Sequence, residues 1–141
     1  MRVWKASWFA AVVATAVGFV GVAVAKQPPR EKVTPAFSED IANVPGKKLV
    51  GMIVDYPPGG TTPSHRHAKS AFITGYVLSG AIRSRVDQAP AKIYKAGERW
   101  TEAPGAHHVV SENASPSKPA KLLAVFVVDA ADAELMTLDS Q

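Results

Sequence analysis

The sequence predicts an all-β protein, a sandwich or barrel of about eight short strands that includes the jelly-roll type. Short apolar and β-branched runs alternate with Gly and Pro turn signals along most of the chain. The 141 residues contain 11 prolines and 10 glycines, which argues against a helical bundle. No long 3.6-residue periodicity occurs after the first 25 residues. These features together favour short, evenly spaced strands.

The first 25 residues differ from the rest of the chain. Arg2 and Lys5 are followed by an apolar run from Trp8, which ends in Ala23-Val24-Ala25 before a polar segment. This is the pattern of a cleaved signal peptide, residues 1–25, and predicts a periplasmic or secreted protein. The alternative is an uncleaved membrane anchor, since the apolar run of 18 residues is near the lower limit for a span. Membrane attachment is expected only through an uncleaved signal.

The remaining chain divides into three parts. Residues 26–47 are polar and rich in proline, which predicts an extended N-terminal arm. Residues 48–128 carry the strand signals and form the predicted barrel. The acidic tail, residues 129–141, is expected to contain one helical turn around residues 131–136. The predicted strands are residues 49–56, 64–67, 72–78, 81–86, 91–95, 99–102, 107–111 and 121–128, the last being central because it is apolar on both faces.

Composition excludes several kinds of function. There is no cysteine, so disulfides, thiolate metal ligands and a Cys nucleophile are ruled out. Loss of residues 1–25 would leave 14 basic and 12 acidic residues with no dense basic run, so nucleic-acid binding is not expected. A domain of this size has a limited core, and we expect a homodimer.

The four histidines occur in two clusters, His65 with His67 and His107 with His108. Side chains at i and i+2 of a strand share a face, so His65 and His67 could bind one metal ion. Only one of His107 and His108 can point to the same interior. The competing interpretation is that an H-x-H pair occurs on a surface by chance. Imidazole ligands suit Fe, Mn, Zn, Ni or Cu, so the residues do not identify the divalent metal.

Two segments resemble the motifs of the cupin superfamily. Residues 60–67 are similar to the first motif, which opens on glycine and closes on H-x-H, and Gly80 matches its final glycine. Residues 97–113 are similar to the second motif, with Gly105 and His108 in place but Ala103 where the motif has proline. The resemblance covers roughly residues 48–128. It implies a small single-domain cupin, a jelly-roll β-barrel with a metal inside.

The resemblance implies that His65, His67 and His108 are the metal ligands. The position of the motif glutamate is taken by Ile73, which is a departure from the family pattern. Three interpretations remain open: a three-His site, a site in which Glu102 replaces the missing acid, or a pocket that has lost its metal. Ile73, Glu102 and His107 are expected beside the site or at its rim.

Two functions follow. The first is an exported metal-dependent enzyme, an oxygenase acting on a small organic substrate at a three-His divalent metal. The second is a non-catalytic cupin that binds a small molecule or a metal, favoured by the lack of an obvious general acid or base beside the histidines. Motifs for a Ser nucleophile, a phosphate loop or a dinucleotide are absent from the sequence. No catalytic residue is assigned.

Overall fold

The computed structural model describes residues 27–140, and every regular element in that range is a strand, as predicted. The predicted signal peptide lies outside the described residues. Within residues 27–140, no helix is long and apolar enough to cross a membrane. The strands are β1 (Lys32–Asp40), β2 (Lys47–Tyr56), β3 (Thr61–Thr62), β4 (His65–His67), β5 (Phe72–Ser79), β6 (Ala81–Val86), β7 (Lys92–Lys95), β8 (Arg99–Glu102), β9 (His107–Asn113), β10 (Ala120–Asp129) and β11 (Met136–Leu138).

The strands form two antiparallel sheets. One has five strands in the order β1-β2-β10-β5-β8, and the other contains β11-β4-β9-β6-β7 with β3 also paired to β9. Strand β10 lies between β2 and β5, so the prediction that the apolar run near the C-terminus is central is confirmed. The inner faces meet in two buried clusters, one around Tyr56 and Trp100 and the other around Ile73 and Phe126. The predicted all-β jelly-roll architecture is confirmed.

Eleven strands are present in residues 27–140 where about eight were expected. All eight predicted strands form. The additional strands are β1, β3 and β11. Strands β3 and β11 have two and three residues, which is too short for an alternating pattern to be recognised in the sequence.

Part of the segment expected to be an arm forms β1. This strand pairs with β2 from Lys32 opposite Asp55 to Asp40 opposite Lys48, with an irregularity after Pro35. It lies at the edge of the five-stranded sheet and is mostly exposed. An edge strand tolerates proline because one side of its backbone needs no ladder partner.

The prediction of a helical turn around residues 131–136 is wrong. These residues form a turn and an irregular stretch that lead into β11, which pairs antiparallel with β4. A single isolated helical turn fixes several residues for one hydrogen bond, whereas pairing with the edge of β4 adds backbone bonds to an existing sheet. The C-terminal tail therefore covers the strand that carries His65 and His67.

Candidate metal centre

The structure brings three of the four histidines together. His65 and His67 point inward from β4, and His108 lies directly opposite His65 on the neighbouring β9. All three side chains are buried, and one nitrogen from each lies within 4.8 Å of the others. The shared face of His65 and His67 is the one that their i, i+2 spacing predicts, and the position of His108 is the one that the resemblance to the cupin motifs implies. Their role as metal ligands stays a prediction.

Hydrogen bonds orient two of the rings. The Nδ1 atom of His65 lies 2.7 Å from the carbonyl of Pro63 and donates to it, which leaves Nε2 free to bind a metal. The Nε2 atom of His108 is hydrogen-bonded to the Ser84 hydroxyl at 2.9 Å, which leaves Nδ1 facing the cluster. The Pro63 carbonyl therefore sets the tautomer of His65, and the Ser84 hydroxyl orients the ring of His108.

Glu102 faces the histidines from the other sheet. One carboxylate oxygen lies 3.1 Å from Nε2 of His67, and the other lies 3.3 Å from Nδ1 of His108. The indole N–H of Trp100 donates to the same carboxylate at 2.9 Å. Glu102, which is expected beside the site from the sequence, is thus an acid in direct contact with the cluster.

Ile73, at the position of the motif glutamate, is a direct neighbour of Glu102. It lies on β5 directly opposite Glu102 on β8, so the two side chains are cross-strand neighbours on one face. The departure from the family pattern at Ile73 is therefore matched by a carboxylate on the adjacent strand. Ile73 itself is buried and forms part of the apolar wall.

Burial favours the neutral form of two of the imidazoles, those of His65 and His108. It lowers the pKa of His65, and it lowers the pKa of His108 to about 4 despite the nearby Glu102 charge. Burial alone would raise the pKa of Glu102, but its contacts with His67 and His108 outweigh this and hold that pKa below its usual value. At neutral pH the cluster therefore presents lone pairs and one carboxylate, which is a donor set suited to a divalent transition metal.

Three buried polar atoms at this place have no hydrogen-bond partner: both ring nitrogens of His67 and one carboxylate oxygen of Glu102. Nε2 of His67 and Oε2 of Glu102 lie 3.1 Å apart, but the contact lacks hydrogen-bond geometry. Buried polar groups are costly unless they are paired, and a metal ion bound by Nε2 of His67 and by the Glu102 oxygen would supply the interaction that these two atoms lack. The residues present therefore fit a metal ion.

His107 does not join the cluster. It is half-buried on the opposite side of β9, where its Nε2 donates to Asp139 at 2.7 Å and lies 2.9 Å from the Ser64 hydroxyl. Ser64 also donates to Asp139. The backbone amide of Asp139 also donates to the carbonyl of Ser64. Together these hydrogen bonds hold the C-terminal tail beside β4.

The histidines line a cavity of about 290 Å³ between the two sheets. Most of its wall is apolar, and the volume is near the lower end of the usual range for small-molecule sites, about 300–1,000 Å³. Leu135 and Met136 from the tail and Val33 from β1 also line it. The lining includes Glu31, Val33, Met52, Val54, Tyr56, Thr62, His65, His67, Ile73, Gly75, Trp100, Glu102, His108, Ser111, Leu122, Ala124, Phe126, Leu135 and Met136.

Several polar groups in this wall are not predicted from the sequence. The Tyr56 hydroxyl is hydrogen-bonded to Ser111 at 2.7 Å and to Thr62 at 2.8 Å, and Glu31 contributes a carboxylate. Burial raises the pKa of Tyr56, so its phenol stays protonated. Strand alternation would not place both His108 and Ser111 inward. Both point inward because β9 has an extra residue where Arg85 and Val86 pair with it.

Comparisons with known proteins agree with this architecture. A double-stranded β-helix domain protein from Klebsiella pneumoniae, described as uncharacterized, has a TM-score of 0.62 at 19% identity, covering 84% of this chain and 91% of that one. The cupin domain of Cnp3 from Schizosaccharomyces pombe has a TM-score of 0.58 at 19% identity, covering 70% and 61%. An oxalate oxidase structure has a TM-score of 0.60 at 22% identity, covering 79% and 56%.

These likenesses show the fold alone, and the chain spans only about half of the oxalate oxidase. No curated protein sequence matches the chain. A family model described as the cupin domain matches residues 52–126, which include all three clustered histidines and Glu102. Because this match covers more than half of the 141 residues, the chain belongs to the cupin family.

Proposed function

We propose that this cupin binds one divalent metal ion through His65, His67 and His108, with the Glu102 carboxylate as the fourth protein ligand. One observation carries the proposal: within residues 27–140, Nε2 of His67 and Oε2 of Glu102 are buried 3.1 Å apart at the cluster without hydrogen-bond partners. The metal is one of Fe, Mn, Zn, Ni or Cu. Elemental analysis of protein isolated from its own organism identifies the metal, and a preparation without bound metal that also fails to take it up would refute the site.

We further propose that the metal centre acts on a small organic substrate as an oxygenase. A bound metal would supply Lewis-acid or redox chemistry at the coordination positions left open by four protein ligands. The chain's own residues orient and enclose the reaction. Trp100 holds the Glu102 carboxylate in place, and the apolar wall around Ile73 and Phe126 excludes water. The similarity in fold to oxalate oxidase is consistent with this chemistry.

The alternative is a cupin that binds a small molecule or a metal without catalysis. It is favoured by the surroundings of Glu102, which is buried, held by Trp100 and close to two histidines, and so is poorly placed to exchange a proton with solvent. Oxygen uptake by the iron-loaded protein with a panel of small organic compounds separates the two functions. An oxygenase consumes oxygen and forms product, whereas a binding module only retains the compound.

Two proposals concern the whole molecule. We propose that residues 1–25 direct export and are removed, as the pattern from Arg2 to Ala25 indicates. We also propose a homodimer formed through the outer face of the five-stranded sheet. Phe72, Tyr76 and Leu78 point outward from β5 with 39–45% of each residue exposed, and large exposed apolar side chains on one face favour association. A second copy with the same face would cover them about a two-fold axis.

A further inference from the structure

The cavity contains a second carboxylate, Glu31, which belongs to neither histidine segment. It precedes β1 and follows Arg30, which forms a parallel bridge with Thr61. The amide of Thr61 donates to the carbonyl of Pro29 at 2.9 Å. The backbone on the N-terminal side of Glu31 is therefore tied to β3, and the Glu31 side chain lines the cavity.

The Glu31 carboxylate is buried and incompletely paired. Its side chain is only 6% exposed, and its Oε2 atom accepts no hydrogen bond from any residue between 27 and 140. The Arg30 guanidinium approaches Oε2 at 3.5 Å without hydrogen-bond geometry, and the Arg30 side chain is 60% exposed. An ion pair with such a solvated partner contributes little. A buried carboxylate oxygen without a donor is costly, so Glu31 is suited to receive one from a ligand.

The neighbouring hydroxyl groups do not supply that donor. Tyr56 is hydrogen-bonded to Thr62 and Ser111, so these three groups of the wall satisfy one another. The rest of the wall near the N-terminal segment is apolar, with Val33 and Val54 among its members. The cavity therefore combines a mostly apolar wall, the histidine cluster with Glu102, and a separate carboxylate, Glu31, whose Oε2 lacks a hydrogen-bond donor.

We propose that the cavity selects small organic amines, whose ammonium group donates to Glu31 while their apolar part packs between the sheets. This assigns the ligand class of the proposed small-molecule site and rests on that function. A carboxylate that accepts a charge-assisted hydrogen bond in a desolvated site favours an ammonium over a hydroxyl of the same size. The cavity volume of about 290 Å³ limits the ligand to a small molecule.

The test uses pairs of compounds that differ only in the polar group. Zinc-loaded protein is titrated calorimetrically with n-pentylamine and pentan-1-ol, with benzylamine and benzyl alcohol, and with 2-phenylethylamine and 2-phenylethanol. We expect at least one amine to bind about tenfold or more tightly than its alcohol. In Glu31→Gln this preference should disappear while the affinity for the alcohol stays within about twofold.

Two further variants sharpen the test. Arg30→Gln removes this solvated cation and should leave the preference for the amine in place, whereas Glu31→Gln abolishes it. Glu112→Gln makes the same charge change at an ion pair with Arg83 and should leave amine binding unchanged. The proposal is overturned if no amine binds more tightly than its alcohol, or if the preference survives in Glu31→Gln. Zinc content, measured on every variant, separates failure of this proposal from failure of the metal site.

Discussion

At the scale of single residues, the main departure from the family motif is Ile73 at the position of the motif glutamate, with Glu102 opposite it. The two side chains are opposite one another on β5 and β8, so a carboxylate from either strand reaches the same part of the barrel. We therefore expect a carboxylate at position 73 or at position 102 to serve the same role at the histidine cluster. This equivalence can be tested by moving the acid back.

We predict that Glu102→Ile weakens metal binding, and that the double variant Glu102→Ile with Ile73→Glu restores it. The single variant removes a ligand, so its loss of affinity should exceed the 10–100-fold loss typical of an outer partner. The double variant conserves composition and returns the carboxylate to the motif position. Competition with a fluorescent zinc chelator measures the affinities. Unchanged affinity in Glu102→Ile would show that Glu102 is not a ligand.

We predict that the metal-free protein loses stability as pH falls from about 6.5 to about 4. The pKa of His108 is about 4 in the folded protein and near 6.5 when unfolded, so below pH 6.5 the unfolded chain takes up a proton that the folded chain does not. The stability present above pH 6.5 is therefore lost by about pH 4, and His65, whose pKa is also lowered, acts in the same direction.

A shift of this size corresponds to about 3 kcal/mol. Urea unfolding between pH 4 and pH 7.5 in the presence of a chelator measures it. In His108→Asn the slope should be clearly smaller, because one of the titrating groups is gone. Equal slopes in the two proteins would contradict the buried, neutral state of His108.

At the scale of elements, β5 and β8 cooperate to place Glu102. A side-chain carbon at Gly75 would lie 2.6 Å from the Trp100 ring, so the absence of a side chain there lets Trp100 pack against β5 and donate to Glu102. The requirement for glycine at this position is one of close approach and not of backbone conformation.

We predict that Gly75→Ala destabilises the protein by about 1–3 kcal/mol through overpacking, and that Trp100→Phe weakens metal binding about 10–100-fold with a smaller effect on folding. Thermal unfolding and zinc affinity are measured for both. Thr101→Ala, on the exposed side of β8, is the control and should change neither. Normal zinc affinity in Trp100→Phe would show that the indole does not position Glu102.

Prediction from sequence succeeded for the eight runs bounded by turn signals and missed β1, β3 and β11. Strand β10 was recognised from its continuous apolar run, and His65 and His67 were placed together by their i, i+2 spacing. Strand β11, just after the residues expected to form a helical turn, is not predicted because three residues carry no recognisable alternation; they form a strand by pairing with the edge of β4. Glu31 was missed because its burial depends on β3, which is also too short to recognise.

The location of Glu102 was only partly accessible from sequence. Its nearness to the second histidine segment made it a candidate, but its contact with His67 depends on the packing of two sheets. The inward orientation of Ser111 cannot be predicted from strand alternation, because the extra residue in β9 changes which side chains face inward. Contacts within one strand are therefore predictable here, and contacts across sheets or through a bulge are not.

At the scale of the whole molecule, we predict a homodimer at micromolar concentration. The outer face of β5 would be buried against a second copy, so Phe72→Asp with Tyr76→Asp should produce monomers by placing charges in an apolar interface. Sedimentation velocity measures both proteins, and Arg85→Asp, on the other sheet, is the control. A monomeric wild type would rule out this assembly.

We predict that the protein isolated from its own organism begins at Lys26 and is recovered from the periplasm or the medium. Cleavage is expected after the Ala23-Val24-Ala25 pattern. Intact-mass spectrometry determines the N-terminus. A mass that retains residues 1–25, together with recovery in the membrane fraction, would show an uncleaved anchor instead.

The number of metal ions bound per chain in wild type, His67→Ala and His107→Ala is the most direct measure of the proposed metal centre. His67 has two buried nitrogens without hydrogen-bond partners at the cluster, whereas His107 lies on the other side of β9 and contacts the tail. Elemental analysis after metal loading and dialysis should give about one ion per chain for wild type and His107→Ala, and nearly none for His67→Ala. Retention of the metal by His67→Ala, or its loss in His107→Ala alone, would contradict the assignment of the ligands.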